Sequence, residues 1–435
     1  MQRVFAKGSC GKRYGTLSKA FTNFFSFTIS TEKKKKNKAR KVLLPILIVA
    51  FCSLVGIFVV YVVGYTNWLP GQNNYVVADY KPISKIRNSF GPSPESTDSP
   101  TPTPIVLDFV DYDRRMAILA NNGTQIGSST IPTPTLVGTS TTKKATTTVP
   151  RVVPKLWPVK ILNADGKPLY PLGGAILPFK RIIAYYGNFY AKGMGVLGQY
   201  PPAEMLAKLQ GEIHKWEIAD PVTPVMPAID YIAVTAQGSA GADGKYRARM
   251  PSSQMDHALD LASQVNGIVI LEVQVGLSTV QTEVPLLEKY LKMPQVHLAI
   301  DPEFAMAPSK ARPGTVVGTV DATDINWAAN YLAGLVRANN LPPKVLIVHR
   351  YTQAMVTNYK QIKPLPEVQV VMDMDGWGSP GKKMGTYNAY EYLNPVQFTG
   401  FKLFYKNDIL PPSPRMMTPA EVLKLIPRPS FIQYQ

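Results

Sequence analysis

The stretch "VQVVMDMDGWG", residues 368–378, decides the fold. Read as a strand, it alternates its side chains with period two. Gln369, Val371, Asp373 and Asp375 then share one face, and Val368, Val370, Met372 and Met374 share the other. An apolar strand that runs into two carboxylates marks a border between a packed interior and solvent. "VHLAIDPEF", 296–304, repeats the device: Asp301 and Glu303 follow His297 and Ala299 on one face.

Six more segments of strand length lie outward from these two. They are "RIIAYYG" (181–187), "AIDYIAVTAQ" (228–237), "GIVILEVQVG" (267–276), "KVLIVHRYT" (344–352), "FKLFYKND" (401–408) and "SFIQYQ" (430–435). Helical patterns fill the gaps at 201–216, 254–265, 278–292, 324–339, 353–362, 384–393 and 418–426. Pro201-Pro202, Ser278 and Thr418-Pro419-Ala420-Glu421 carry helix-start chemistry, with a capping hydroxyl or a proline in the first turn. Strands alternating with helices predict an α/β fold with a parallel sheet and right-handed crossovers. Eight such strands between 161 and 435 predict a closed (β/α)8 TIM-type barrel. An open doubly wound sheet is the alternative, but it would leave two edges. The eighth strand, with no helix behind it, is expected to close against the first.

A barrel of this kind carries its site at the C-terminal ends of its strands. The alternation sends Glu272 and Gln274, Asp301 and Glu303, His349 and Tyr351, and Asp373 and Asp375 towards one mouth. Thr235 and Gln237 end the second strand, Tyr185 ends the first, and Tyr405 is the candidate on the seventh. His297 and Gln369, polar at strand starts, are expected at the bottom near solvent. Glu272 lies inside an apolar run, where a carboxylate needs a partner or loses its charge. The bland reading of the acid pairs is turn and cap chemistry, because loops are polar and aspartate caps helices.

Carboxylates around a cup lined by Tyr185, Tyr186, Trp377, Tyr387 and Tyr390 suit a polysaccharide or other glycan, whose ring faces stack on aromatics and whose hydroxyls bond to acids. Glycoside hydrolysis needs one carboxyl with a raised pKa and one ionised partner. The candidates are Glu303 or Glu272 as acid and Asp373 or Asp375 as partner, with Asp301 beside them. Tyr185, Tyr186, Gln237, Gln274, His349, Tyr351, Trp377 and Tyr405 are the candidates for substrate contact. A non-catalytic glycan-binding or scaffolding module would share the same cup. A weaker alternative is a metal-dependent hydrolase built on Asp301, Glu303, His349, Asp373 and Asp375. No His-Glu-x-x-His motif and no P-loop occurs, and no cofactor is expected. "GMGVLG" (193–198) matches G-x-G-x-x-G, but "NFYAK" separates it from the strand, so it reads as a loop over the cup where glycines permit close approach.

The N-terminal part is of another kind. The net charge of +18 first points to nucleic acid, but residues 1–41 hold twelve Lys/Arg against one Glu. That basic tail accounts for most of the excess, so no nucleic-acid partner is expected of the barrel. Residues 42–65, "VLLPILIVAFCSLVGIFVVYVVGY", are apolar and uncharged, long enough to cross a bilayer as one helix. Basic residues precede it and none directly follows, which predicts a cytoplasmic N-terminus and an extracytoplasmic barrel. Residues 66–160 are rich in Pro, Ser and Thr and read as a spacer, with a small β-hairpin expected at 104–129. Neither cysteine, Cys10 or Cys52, falls in the barrel region, which therefore has neither a disulfide nor a thiolate metal site.

"AYYGNFYAKGMGVLGQYPPAEMLAKL", "LAIDPEF" and "DMDGWG" together resemble a group of bacterial cell-surface proteins with a glycosidase-like (β/α)8 barrel. The resemblance covers about 180–410. It implies a barrel and an envelope location, and marks Asp301, Glu303, Asp373 and Asp375 as candidates. The chitinase-like pattern of alternating acids ending in glutamate is not met, because Gly376 and Trp377 follow Asp375.

Overall fold

The computed structural model describes residues 106–121, 156–413 and 415–435. The segment 42–65 lies outside the described residues, and among those described no helix is long and apolar enough to cross a membrane. The chain order begins with α1 (Phe109–Ala120), β1 (Arg181–Gly187), α2 (Pro202–Ala219), β2 (Val225–Ala236) and β3 (Arg247–Arg249). It continues through α3 (Ser252–Ser263), β4 (Ile268–Val273), β5 (Val296–Ile300), β6 (Val320–Asp321) and α4 (Ala322–Asn339). It closes with β7 (Lys344–His349), β8 (Val356–Thr357), β9 (Val368–Met374), α5 (Pro380–Tyr387), β10 (Phe398–Leu403) and β11 (Phe431–Tyr434).

Eight of these strands pair in parallel in the order β1-β2-β4-β5-β7-β9-β10-β11, and β11 pairs back onto β1. The sheet is therefore a closed barrel, as the alternation predicts. Each strand is apolar on both faces because both are covered. Outward residues such as Ile183, Tyr231, Leu271, Leu298, Leu346, Val370 and Phe401 pack beneath the helices. Inward residues Ile182, Ala184, Ala228, Ile270, Ala299, Ile347, Val371 and Phe431 fill the lower interior. The short β3 lies antiparallel on the end of β2, and β6 and β8 form a separate parallel pair.

Three expectations change. The described part of 104–129 is not a β-hairpin but the helix α1. Asp108 caps it by accepting from the Asp111 N–H, and Asn121 ends it in the left-handed region. Tyr112, Met116 and Ala120, four residues apart, bury one stripe. Tyr112 and Met116 pack with Leu177, Phe398 and Phe431, so α1 plugs the N-terminal end of the barrel. Burial of each of these two large side chains is worth about 1.5–3 kcal/mol. Second, His297 and Gln369 are at the bottom but buried rather than near solvent. Gln369 donates to the Leu177 carbonyl and accepts from its N–H, while His297 Nδ1 accepts from the Val345 N–H. Third, the seventh barrel strand starts earlier than 401, at Phe398. Thr399 and Gly400 belong to it as well. In the barrel Gly400 is needed, because a Cβ there would lie 2.4 Å from Asp373 Oδ1.

The helical pattern at 278–292 is broken at Pro285 into short turns, and that at 353–362 becomes two 3-10 turns around β8.

Candidate active site

At the C-terminal ends of the strands the barrel interior turns from apolar to charged. Tyr186, Glu272, His349 and Lys402 come from β1, β4, β7 and β10, which are alternate staves of the barrel and supply one layer of side chains. Tyr186 donates its hydroxyl to Glu272 Oε1 at 2.6 Å, and His349 Nε2 lies 2.9 Å from Glu272 Oε2. His349 Nδ1 lies 3.0 Å from Asp373 Oδ2 and 3.6 Å from Asp375 Oδ2. The Lys402 ammonium sits 3.8 Å from the centre of the Tyr186 ring. Below this layer, Asp230 is fully buried on β2 and accepts from Gln433 Nε2 at 2.6 Å.

Above the layer is the rim. Asp301 accepts from the Glu303 N–H and from Gln274 Nε2, which also reaches Glu272 and the Tyr186 hydroxyl. Tyr351 donates to Glu303 Oε1 at 2.9 Å. Asp301, Glu303 and Asp375 each bring an oxygen within 4.8 Å of the other two. That spacing could hold a divalent cation, or it could hold a sugar oxygen between carboxyl groups.

Burial and neighbouring charge sort these groups. Burial alone would raise Glu272, but the His349 imidazole and the Lys402 ammonium outweigh it and hold the carboxyl below its usual range. Burial works against a charged His349, yet Glu272, Asp373 and Asp375 hold its pKa well above the ordinary imidazole value. The pair is therefore an ionised carboxylate and an imidazolium. Asp301 is pushed well up by burial and then by Glu272, and Asp230 by the same two causes. Asp375 is raised by burial against the pull of His349 and Lys402, to about 7. Its Oδ1 is buried and has no hydrogen-bond partner among the described residues.

Most residues expected at the mouth from sequence are brought together there: Tyr186, Glu272, Gln274, Asp301, Glu303, His349, Tyr351, Asp373 and Asp375. Glu272, however, is spent on Tyr186, His349 and Gln274 and held ionised, so it suits an orienting anion rather than the proton donor expected. Tyr185 is not in the cup: it faces outward, its hydroxyl 3.1 Å from that of Tyr405. Tyr405 lies beyond the end of β10 and donates to Glu212 on α2. Gln237 turns back to the Thr235 carbonyl, after a register shift in β2 between Ile232 and Val234 that breaks the period-two count. Tyr387 is buried behind the barrel wall, bonded to Thr399 and to the Pro427 carbonyl. Trp377 stands at the rim, half exposed, with the Lys382 ammonium 4.7 Å from its ring centre. The "GMGVLG" segment packs down on the end of β1, where a Cβ on Gly195 would lie 2.3 Å from the Tyr186 carbonyl oxygen. Sequence reasoning missed Asp230 and Lys402. The signal for Asp230 was a charge in the middle of an apolar strand; for Lys402 it was the alternation Phe398, Gly400, Lys402, hidden by the misplaced start of β10.

No family profile matches the chain, and no curated protein does. Among solved structures it is similar to cellulose synthase subunit Z from Clostridioides difficile, with 10% identity and a TM-score of 0.32 over 59% of this chain and 91% of that one. It is also similar to a hyperthermophilic endo-β-1,4-glucanase in complex with substrate, with 11% identity and a TM-score of 0.31 over 59% of this chain and 89% of that one. A GH5 xyloglucan-specific endo-β-1,4-glucanase from a metagenomic library matches at 10% identity and a TM-score of 0.29, over 52% of this chain and 77% of that one. At these values the likeness assigns no activity.

Proposed function

We propose that this chain is a glycoside-hydrolase-like barrel that acts on polysaccharide at the mouth described above. The observation that carries the reading is the rim trio Asp301, Glu303 and Asp375, mutually within 4.8 Å, seated over the buried Glu272–His349 pair. Asp375, with a pKa of about 7, has a proton to give near neutral pH. It is the donor to the leaving-group oxygen, and Glu303 is the carboxylate that faces the developing positive charge on the sugar. The separation is short of the roughly 6.5–9.5 Å that a water-inserting, inverting pair needs, which favours direct attack and retention. His349 and Glu272 fix the lower edge of the site, and Tyr351 holds Glu303 in place.

Membrane anchoring belongs to the same proposal. The apolar run 42–65, preceded by "KKKKNKARK" (33–41), anchors the chain with its barrel outside the cell, on envelope or extracellular polysaccharide.

The test is a hydrolysis and glycan-binding screen of the full chain against wild type, Glu303→Gln and Asp375→Asn. An enzyme loses turnover in both variants and keeps glycan affinity. A binding module shows affinity without turnover in any form. One observation favours a second reading: the oxygens of the trio also have the spacing of a divalent-cation site. In that case chelation abolishes activity and added Mg2+, Ca2+ or Mn2+ restores it.

A further inference from the structure

Lys402 is the group in the mouth that the scheme above leaves unused. It is 4% exposed, on the inward face of β10. Its ammonium lies between the rings of Tyr186 and Phe404, 3.8 and 5.3 Å from their centres. Among the described residues it has no hydrogen bond and no ion pair, so its three donors are unspent. A buried cation in that condition is set up for a partner from outside the chain. The next base, Lys383, is already bound to Asp408 and to the carbonyls of Gly376 and Lys402.

The surroundings limit what that partner can be. Glu272 and Asp373 flank His349 in the same layer as Lys402, and the carboxyl groups of Asp301, Glu303 and Asp375 stand above at the rim. A ligand carboxylate can only accept, so it would satisfy Lys402 and then meet the acids. A hydroxyl both accepts and donates, so it bridges the ammonium to a carboxylate.

We propose that Lys402 recognises a hydroxyl of an uncharged sugar at the floor of the cup, and that the substrate is a neutral rather than a uronic-acid polysaccharide. This rests on the polysaccharide reading above. Lys402, which has no hydrogen bond and no ion pair among the described residues, sets orientation, and only a ligand group that both accepts and donates can join it to the ionised Glu272 below the rim.

The experiment is calorimetric binding to the full chain carrying Asp375→Asn, to suppress turnover, with and without Lys402→Met or Lys402→Gln. The probes are neutral glucan, mannan and xylan oligosaccharides, an oligogalacturonate and a glucosamine oligomer. A neutral oligosaccharide is expected to bind at least about tenfold tighter than the uronate, and both Lys402 variants to lose at least about tenfold of that affinity while remaining folded by thermal melting. A monodeoxy series should contain one analogue that binds Lys402→Met as well as its parent does. Tighter binding of the oligogalacturonate or of the glucosamine oligomer, or unchanged affinity in both folded Lys402 variants, overturns the inference and leaves the polysaccharide reading intact. If no glycan binds to this protein or to wild type, both fail.

Discussion

The two ends of the barrel are built by the same strands, yet they treat buried polar groups in opposite ways. At the bottom, Gln369 is matched on both sides by the Leu177 backbone, and His297 is kept well below its ordinary pKa by burial and the nearby Lys344. Those groups are neutral and serve packing under the α1 plug. At the top, Glu272 and His349 are buried as charges, and among the described residues Asp375 Oδ1 has no hydrogen-bond partner and the Lys402 ammonium is unspent. The bottom pairs Gln369 on both sides and leaves His297 Nε2 unpaired among the described residues but uncharged. A site holds some of its polar groups in readiness, and the strain is accepted because the lower barrel is well packed.

That contrast can be broken in several ways. The largest expected effect is at the rim. Asp375→Asn removes the proposed proton donor and should lower kcat by about 10²–10⁴-fold, with Glu303→Gln of similar size, measured as reducing-end release. Equal rates in wild type and both variants would put the chemistry elsewhere.

Next is the charged pair. His349→Ala leaves Glu272 and Asp373 buried beside no imidazolium and should cost about 3–5 kcal/mol in denaturant melts near neutral pH. A cost below about 1 kcal/mol would mean that Glu272 is not charged in the fold.

The bottom should respond differently. Met116→Ala in α1 should cost about 2–5 kcal/mol through the cavity it leaves, without a change in glycan affinity. Gln369→Ala strands the Leu177 backbone groups and should cost about 1–3 kcal/mol. Loss of glycan binding in either variant would join the two ends that the comparison separates.

Asp375 also sharpens the contrast through pH. Its folded pKa, about 7, lies above the unfolded value of about 3.8, so the fold favours the protonated form. The stability it contributes is full below the unfolded value and is lost as pH rises towards about 7. Asp375→Asn imitates the protonated carboxyl. It should therefore melt higher than wild type at pH 8, with the difference shrinking towards pH 4. A difference independent of pH would show that Asp375 is not perturbed.

The barrel was legible in sequence because both faces of each strand are buried and the polar residues arrive late, at the ends. "VQVVMDMDG" and "VHLAIDPEF" show that transition directly, and Glu272 and His349 show it within apolar runs. Where local signals conflicted, the reading failed. Tyr185 and Tyr186 are adjacent, so only one can face inward, and the aromatic type alone did not say which. The bulge in β2 misled the count for Gln237. Lys402 was missed because the strand was started at Phe401, which hid the shared face of Phe398, Gly400 and Lys402; Gly400 there makes room for Asp373. The stripe Tyr112, Met116, Ala120 was hidden by an apolar–polar alternation that suggested a hairpin, and only contact with Leu177 and Phe398 makes it a plug.

The most direct test is the pH dependence of kcat/KM for hydrolysis of a neutral polysaccharide. The account predicts a falling limb near pH 7, as Asp375 gives up its proton, and almost no activity at any pH in Asp375→Asn. Hydrolysis that keeps its full rate well above pH 8, or that survives unchanged in Asp375→Asn, would contradict it.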